Sequence, residues 1–87
     1  MTALRIDKLL WFLRLAKSRS LAQGVVEQGH IRLNGNRVTR CAQGVVVADR
    51  LVLPLGPNVR AIEIITLPSR RGPAVEASAC YLSLIHI

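Results

Sequence analysis

Aromatic residues are scarce in this chain of 87 residues, which has one tryptophan, one phenylalanine and one tyrosine. Surfaces that bind single-stranded nucleic acid by stacking need several aromatic side chains in one place. The composition therefore excludes an aromatic platform, and any nucleic acid would be recognised by its shape and backbone with little sequence readout. Trp11 is interpreted as a packing residue beside the core.

Cysteines and long apolar runs are also few. Cys41 and Cys80 stand far apart with no histidine cluster near them, which predicts two buried or half-buried free thiols and no metal site. The stretch Leu9 to Leu15 contains Arg14 and is far shorter than the roughly 18–20 apolar residues that cross a bilayer. The N-terminus has no signal-peptide pattern. We expect a cytoplasmic protein with no membrane partner and no cofactor.

Acidic residues are the third scarcity, with 5 Asp and Glu against 12 Lys and Arg and a net charge of +7. No two acids have a spacing that places them on one helical face, and His30 and His86 are isolated. Glycine-rich nucleotide-binding motifs are absent from the sequence. We therefore do not expect an enzyme.

Basic residues are concentrated in residues 1–40, which contain eight basic and two acidic residues and therefore a net charge of +6. Such a one-sided distribution is typical of a surface that binds a polyanion. Charge and position along the chain select nine candidate residues for contact with that polyanion: Arg5, Lys8, Arg14, Lys17, Ser18, Arg19, Arg32, Asn34 and Arg37.

Two helices are predicted in this half. Apolar residues on one arc predict the first over residues 5–15, with Asp7, Trp11 and Arg14 on a flanking face. The second begins after an N-cap at Ser18 or Ser20 and ends before a glycine at position 29. Its free backbone N–H groups, beside Lys17 and Arg19, predict a phosphate site. A glycine at position 24 suggests close packing.

A hairpin follows the helices. If its loop is Asn34-Gly35, Ile31 faces Val38 and Arg32 faces Arg37; if the loop is one residue later, Leu33 faces Val38. Both registers place the aliphatic residues on one face and the arginines on the other. Opposed arginines are destabilising unless an anion lies between them. Asn34 can contact a base or a 2′-OH, or can serve the turn alone.

The second half is predicted to hold short strands, a loop and a helix. Strands are expected at residues 45–47, 51–55 and 59–67, with a turn at 56–58, a loop at 68–73 and a helix over 74–81. This organisation divides the chain into a domain at 1–67 and a basic loop with a truncated C-terminal helix at 68–87.

The first half resembles the S4 RNA-binding domain family. The matching residues are Arg5-Ile6-Asp7-Lys8-Leu9-Leu10-Trp11, Arg14, Lys17-Ser18-Arg19-Ser20, Ala22, Gly29 and Leu33-Asn34-Gly35. The later residues Arg70 to Ala74, Glu76-Ala77 and Tyr81 resemble the bacterial ribosome-associated heat-shock branch of that family.

The resemblance implies an α+β fold of two N-terminal helices packed on a small, bent antiparallel sheet, with a short C-terminal helix. It implies binding to rRNA on the large ribosomal subunit, with a stalled peptidyl-tRNA, through the nine candidate residues. Asp7 is read as structural, oriented toward Arg14 or a backbone amide. Nonspecific DNA binding and a monomeric state are also expected.

Two positions depart from the family pattern. Ala48-Asp49 stands where members usually have Gly-Asp, which is tolerable if the φ of Ala48 stays negative. Residues 82–87 are apolar where the family continues into a long charged helix, and they look like a truncated or misjoined, aggregation-prone end. Two alternatives remain: a fragment of a pseudouridine synthase or tRNA synthetase, or an adaptor that docks by its apolar end.

Overall fold

A computed structural model describes residues 3–55 and 58–86. The α+β prediction is confirmed, and the elements in chain order are β1 (Leu4–Arg5), α1 (Ile6–Phe12), α2 (Arg19–Glu27), β2 (Ile31–Leu33), β3 (Asn36–Val38), β4 (Gly44–Val45), β5 (Arg50–Leu55), β6 (Asn58–Ile64), α3 (Ala74–Ser78) and β7 (Tyr81–His86). In this described part of the chain, no helix has the length and apolar character needed to span a membrane.

Helix α1 is shorter than the predicted 5–15. It ends because Arg14 has a φ of 61°, and the N–H of Arg14 donates to the Trp11 carbonyl at 3.1 Å. The N–H of Leu15 donates to the Leu10 carbonyl at 3.0 Å, which completes a Schellman motif. An arginine therefore occupies the left-handed position that usually belongs to glycine. The prediction that Arg14 lies on the helix is wrong.

Helix α2 begins as one of the two predicted alternatives. Ser18 is the N-cap, and its hydroxyl accepts from the Leu21 N–H at 3.1 Å. The chain leaves the helix at a glycine, position 29, with a φ of 75°. The expectation of close packing at Gly24 was wrong, because a Cβ added there would meet no neighbouring atom within 4 Å.

The hairpin adopts the first of the two registers. Ile31 pairs with Val38 and Arg32 pairs with Arg37. The two loop residues, Asn34 and Gly35, have φ values of 51° and 86°, as a type I′ turn requires. The two arginines are therefore directly opposed.

Five antiparallel strands form the main sheet in the order β3-β2-β5-β6-β7, and β1 pairs with β4 beside it. Strand β4 ends at Val45 rather than at residue 47, because a turn follows in which the Val46 N–H donates to the Asp49 carboxylate at 2.9 Å. Ala48 in this turn has a φ of 78°. A negative φ was the condition under which an alanine would be tolerable here; that condition is not met, and the alanine occupies a conformation suited to glycine.

The C-terminal region differs most from expectation. Helix α3 ends at Ser78 instead of residue 81, and Tyr81–His86 form strand β7, which pairs with β6. The described part of the terminal segment therefore belongs to the main sheet and is neither a helix nor a detached tail. The turn predicted at 56–58 has its first two residues outside the described ranges. The division at residue 67 remains a prediction.

The core lies between the two N-terminal helices and the inner face of the sheet. Its fully buried side chains include Ile6, Leu9, Val26, Ile31, Val45, Leu51 and Ile62. The prediction of two free thiols is confirmed, with Cys80 buried and Cys41 half-buried. Burial raises the pKa of both thiols, so neither is a reactive thiolate at neutral pH.

Candidate nucleic-acid interface

The carboxylate of Asp7 organises the start of the basic segment. It is fully buried at 0% exposure, and Arg5 donates to its two oxygens from Nε and a terminal nitrogen, each at 3.2 Å. The backbone N–H of Lys8 donates to Oδ1 at 2.7 Å, and Gln23 Nε2 donates to Oδ2 at 3.0 Å. Asp7 therefore ties β1 and α1 to α2.

The prediction for Asp7 was half correct. Its contact with a backbone amide is confirmed, but Arg14 is not its partner. Burial by itself favours the neutral acid, yet the hydrogen bonds from Gln23, Arg5 and the Lys8 amide outweigh burial and hold the pKa of Asp7 below its ordinary value. The group is thus a charged anchor at neutral pH.

Arg19 is held beside the same carboxylate. Its Nε lies 3.5 Å from Asp7 Oδ2, but it has no hydrogen-bond partner in the described part of the chain even though the atom is buried. The side chain as a whole is 40% exposed, so its remaining nitrogens can reach solvent. One carboxylate therefore holds two guanidiniums, those of Arg5 and Arg19, and leaves a net positive charge.

The start of α2 adds to that charge. Lys17 is exposed immediately before the N-cap, and Arg19 is the first residue of the nine-residue helix. Ser18 satisfies the N–H of Leu21, and the amides before it in the first turn are groups that a helix leaves without an intrahelical acceptor. The structure thus brings together four predicted residues: Arg5, Lys17, Ser18 and Arg19.

Arg14 lies in a different place. Its left-handed backbone directs the side chain to the loop before α3, where Nε donates to the carbonyl of Gly72 at 2.6 Å. The same loop makes a second contact with α1, since Arg71 Nε donates to the Trp11 carbonyl at 3.2 Å. The guanidinium of Arg71 also lies over the Trp11 ring, 5.8 Å from its centroid.

Sequence reasoning missed Arg71 and Gln23. Arg71 lies 60 positions from Trp11, and no local pattern in either segment predicts the contact. Gln23 lies 16 positions from Asp7, whose carboxylate accepts from its side-chain amide. The remaining predicted residue of α1, Lys8, is half-buried, with Nζ 5.6 Å from the centroid of the Phe12 ring.

The hairpin forms a separate basic group. Arg37 Nε donates to the carbonyl of Gly29 at 2.9 Å, at the end of α2, while a terminal nitrogen of Arg32 lies 3.4 Å from the Gly35 carbonyl. Both side chains are exposed. Among the described residues these two opposed arginines have carbonyl partners only, an arrangement that a phosphate would stabilise.

Asn34 is engaged within the protein. Its amide nitrogen donates to Asp49 Oδ1 at 3.0 Å, and its amide oxygen accepts from the backbone N–H of Arg50 at 2.9 Å. These bonds tie the hairpin tip to the turn before β5. Turn chemistry is thus established for Asn34, and its contact with RNA stays a prediction. Within residues 3–55 and 58–86, no group of three or more potential metal ligands occurs.

The first part of the chain matches a known family model, that of the S4 domain, over residues 4–51. This chain belongs to the S4 domain family. Among relatives, a heat shock protein 15 homolog of Haemophilus influenzae is 36% identical over 77 residues, which cover 88% of this S4 chain and 58% of that protein. The RQC P-site tRNA stabilizing factor of Halalkalibacterium halodurans is 43% identical over 61 residues, 70% of this chain and 68% of that protein.

The fold of this S4 chain is also similar to a solved structure. A trimeric structure of Vibrio cholerae heat shock protein 15 aligns with a TM-score of 0.90 and 32% identity, covering 95% of this chain and 83% of that one. The predicted resemblance to the family and to its heat-shock branch is confirmed. The chain spans 58% and 57% of the length of the two heat shock relatives from Haemophilus influenzae and Escherichia coli.

Proposed function

We propose that this S4 protein is a cytoplasmic RNA-binding protein that binds rRNA on the large ribosomal subunit, together with a stalled peptidyl-tRNA. The observation that carries the proposal is the buried Asp7 carboxylate, which fixes Arg5 and Arg19 beside the start of α2. Fixed guanidiniums beside the N-terminus of a helix suit phosphate groups and provide no readout of base sequence.

The relatives support the ribosomal part of the proposal. One of them is named as a stabilizing factor of P-site tRNA, and others are named heat shock protein 15. Nothing in the Asp7 group requires a catalytic step, since a held charge is all that backbone binding needs. We propose that the protein acts by occupancy, as a monomer, and that DNA binding is weak and nonspecific.

The test is the salt dependence of RNA affinity. Replacing Lys17 and Arg19 by alanine should weaken binding to rRNA fragments of different sequence to a similar extent. It should also reduce the slope of log affinity against log salt by about 2, because each lost phosphate contact releases about one counterion fewer. Fluorescence anisotropy at several salt concentrations measures both quantities.

A matched control removes the same charge elsewhere. Arg50 and Arg70 are exposed and paired with Glu63 and Glu76, at 3.1 Å and 3.0 Å. Their double alanine variant should keep the parental slope. Equal effects of the two double variants would show that only total charge matters, and would refute this site.

The partner is tested by sedimentation with purified ribosomal subunits, with and without P-site tRNA. We expect retention on the large subunit that increases when tRNA is present and that excess duplex DNA does not compete away. Equal retention on both subunits, or complete competition by DNA, would contradict the proposal.

A further inference from the structure

A groove between the end of α1, helix α3 and strands β6 and β7 contains two arginines. Arg14 enters it from the segment after α1, and Arg60 enters it from β6. Ser78 of α3 and Tyr81 of β7 complete the polar part of its wall. We call this feature the α3 groove.

The α3 groove has an unbalanced charge. Among the described residues no acidic side chain lines it. The cavity that borders the loop before α3 contains Arg70 together with Glu76, which pair at 3.0 Å and cancel each other. A cleft lined by charge of one sign attracts the opposite charge, so the α3 groove favours an anion.

Each of the two arginines makes a hydrogen bond within the protein through its Nε atom. Arg14 uses Nε on the Gly72 carbonyl, and Arg60 uses Nε on the Ser83 hydroxyl at 3.3 Å. The guanidinium of Arg60 also lies over the Tyr81 ring, 5.4 Å from its centroid. Within the described part of the chain the terminal nitrogens of both guanidiniums have no hydrogen-bond partner. These nitrogens are the donors that bind phosphate oxygens in pairs.

The groove depends on the loop before α3. The Gly72 carbonyl and the Arg71 guanidinium attach that loop to the end of α1, so that α3 covers one side of the sheet edge. Arg14 accepts a left-handed backbone, with a φ of 61°, to take part in this arrangement. The same residue thus ends α1 and directs its side chain to the loop.

We propose that the α3 groove binds a backbone phosphate of the same RNA, with Arg60 and Arg14 as its ligands and Tyr81 positioning Arg60. This inference rests on the proposed function and extends the RNA path beyond the start of α2 to the C-terminal half of the chain. It assigns a binding role to Arg60, which lies outside the basic first half.

The test compares two single variants of equal charge change. Arg60→Gln should reduce the slope of log RNA affinity against log salt by about 1. Arg50→Gln, on the neighbouring strand β5 and paired with Glu63, should leave the slope unchanged. Arg60→Lys keeps the charge but loses the planar guanidinium that donates two hydrogen bonds to one phosphate. It should therefore keep the parental salt slope, while its RNA affinity stays below that of the parent. Circular dichroism verifies that each variant is folded.

Direct titration identifies the source of the anion. In ¹⁵N-labelled protein, the Arg60 Nε–H resonance should shift at lower concentration with a short RNA than with inorganic phosphate. A parental slope and affinity in Arg60→Gln would overturn the proposal that the α3 groove binds phosphate, and would leave the proposed function intact. Failure of the parent chain to bind RNA would overturn both. A shift with inorganic phosphate but none with RNA would overturn the assignment to RNA.

Discussion

Asp7 is a charged residue at a fully buried position, where ionisation costs free energy. A buried carboxylate loses its hydration, and it stays ionised only if hydrogen bonds and opposite charges replace that hydration. Arg5, Gln23 and the Lys8 amide provide these bonds, and Arg19 lies close enough to add attraction. The same contacts that stabilise the carboxylate therefore fix two candidate RNA ligands.

This arrangement predicts a pH dependence of stability. Because the pKa of Asp7 is lower in the folded protein than in the unfolded chain, its contribution is fully present above the unfolded value. It is lost as the pH falls through the folded value. Asp7→Asn should lower the free energy of unfolding at neutral pH by about 2–3 kcal/mol and flatten its acid dependence.

Urea unfolding from neutral pH to about pH 2 measures both effects, because the acid loss of stability falls below the ordinary carboxylate pKa of about 3.9. Glu63→Gln is the control, because its ion pair with Arg50 is partly exposed, at 31% for Glu63 and 67% for Arg50, and should contribute less than about 1 kcal/mol. An acid dependence as steep in Asp7→Asn as in the parent would contradict this role of Asp7.

Ala48 carries strain that does not serve a contact we can identify. Its φ of 78° is unfavourable for a residue with a Cβ, while its N–H makes a 2.7 Å bond to the Ile64 carbonyl that any residue could make. Ala48→Gly should therefore raise the free energy of unfolding by about 0.5–1 kcal/mol. Ala79→Gly, at an ordinary φ of −77°, should lower it instead. Thermal unfolding distinguishes the two signs.

At the scale of elements, local signals predicted the starts of helices better than their ends. Ser18 was one of the two N-caps predicted for α2, because a hydroxyl at the start of a helix is a local feature. The end of α1 has no such signal, because its left-handed residue is Arg14 rather than a glycine. The hairpin register stayed open for a related reason: the bond between Asn34 and Asp49 joins segments 15 positions apart.

The candidate site shows the same division between features with a local sequence signal and contacts between distant segments. Composition and charge selected the basic first half, and the structure places Arg5 and Arg19 on one carboxylate. The sequence could not show that Gln23 completes this group or that Arg71 stacks on Trp11, because such contacts depend on how distant elements pack. Neither could it show that Arg14 turns away from Asp7 toward Gly72.

The cap of α2 gives a prediction at this scale. Ser18→Ala removes the acceptor of the Leu21 N–H and should lower the free energy of unfolding by about 1 kcal/mol. Ser20→Ala is a matched control, since Ser20 is exposed within the first turn and does not cap the helix. Urea unfolding of both variants measures the difference. Equal losses would contradict the assignment of the cap to Ser18.

For the whole molecule, the main sheet extends from the hairpin to the C-terminal strand. Strand β7 covers the edge of β6, with a register shift between Ala61 and Ile62. The residues at 82–84 are all exposed on this strand. Sequence reasoning interpreted residues 82–87 as a truncated or misjoined end because the family pattern continues there into a long charged helix, and it therefore placed no strand in this segment.

Strand β7 predicts how the molecule responds to truncation. Deleting residues 82–87 should lower the free energy of unfolding by several kcal/mol, because most of the hydrogen bonds between β6 and β7 are lost at about 1 kcal/mol each. Replacing Leu82 and Leu84 by threonine should leave stability nearly unchanged, since they are 52% and 37% exposed and threonine suits a strand. Chemical denaturation measures both, and amide hydrogen exchange should show protection along β7 in the threonine variant. If truncation left stability at the parental value, β7 would not be part of the folded sheet, and the wall that Tyr81 gives to the α3 groove would be lost with it.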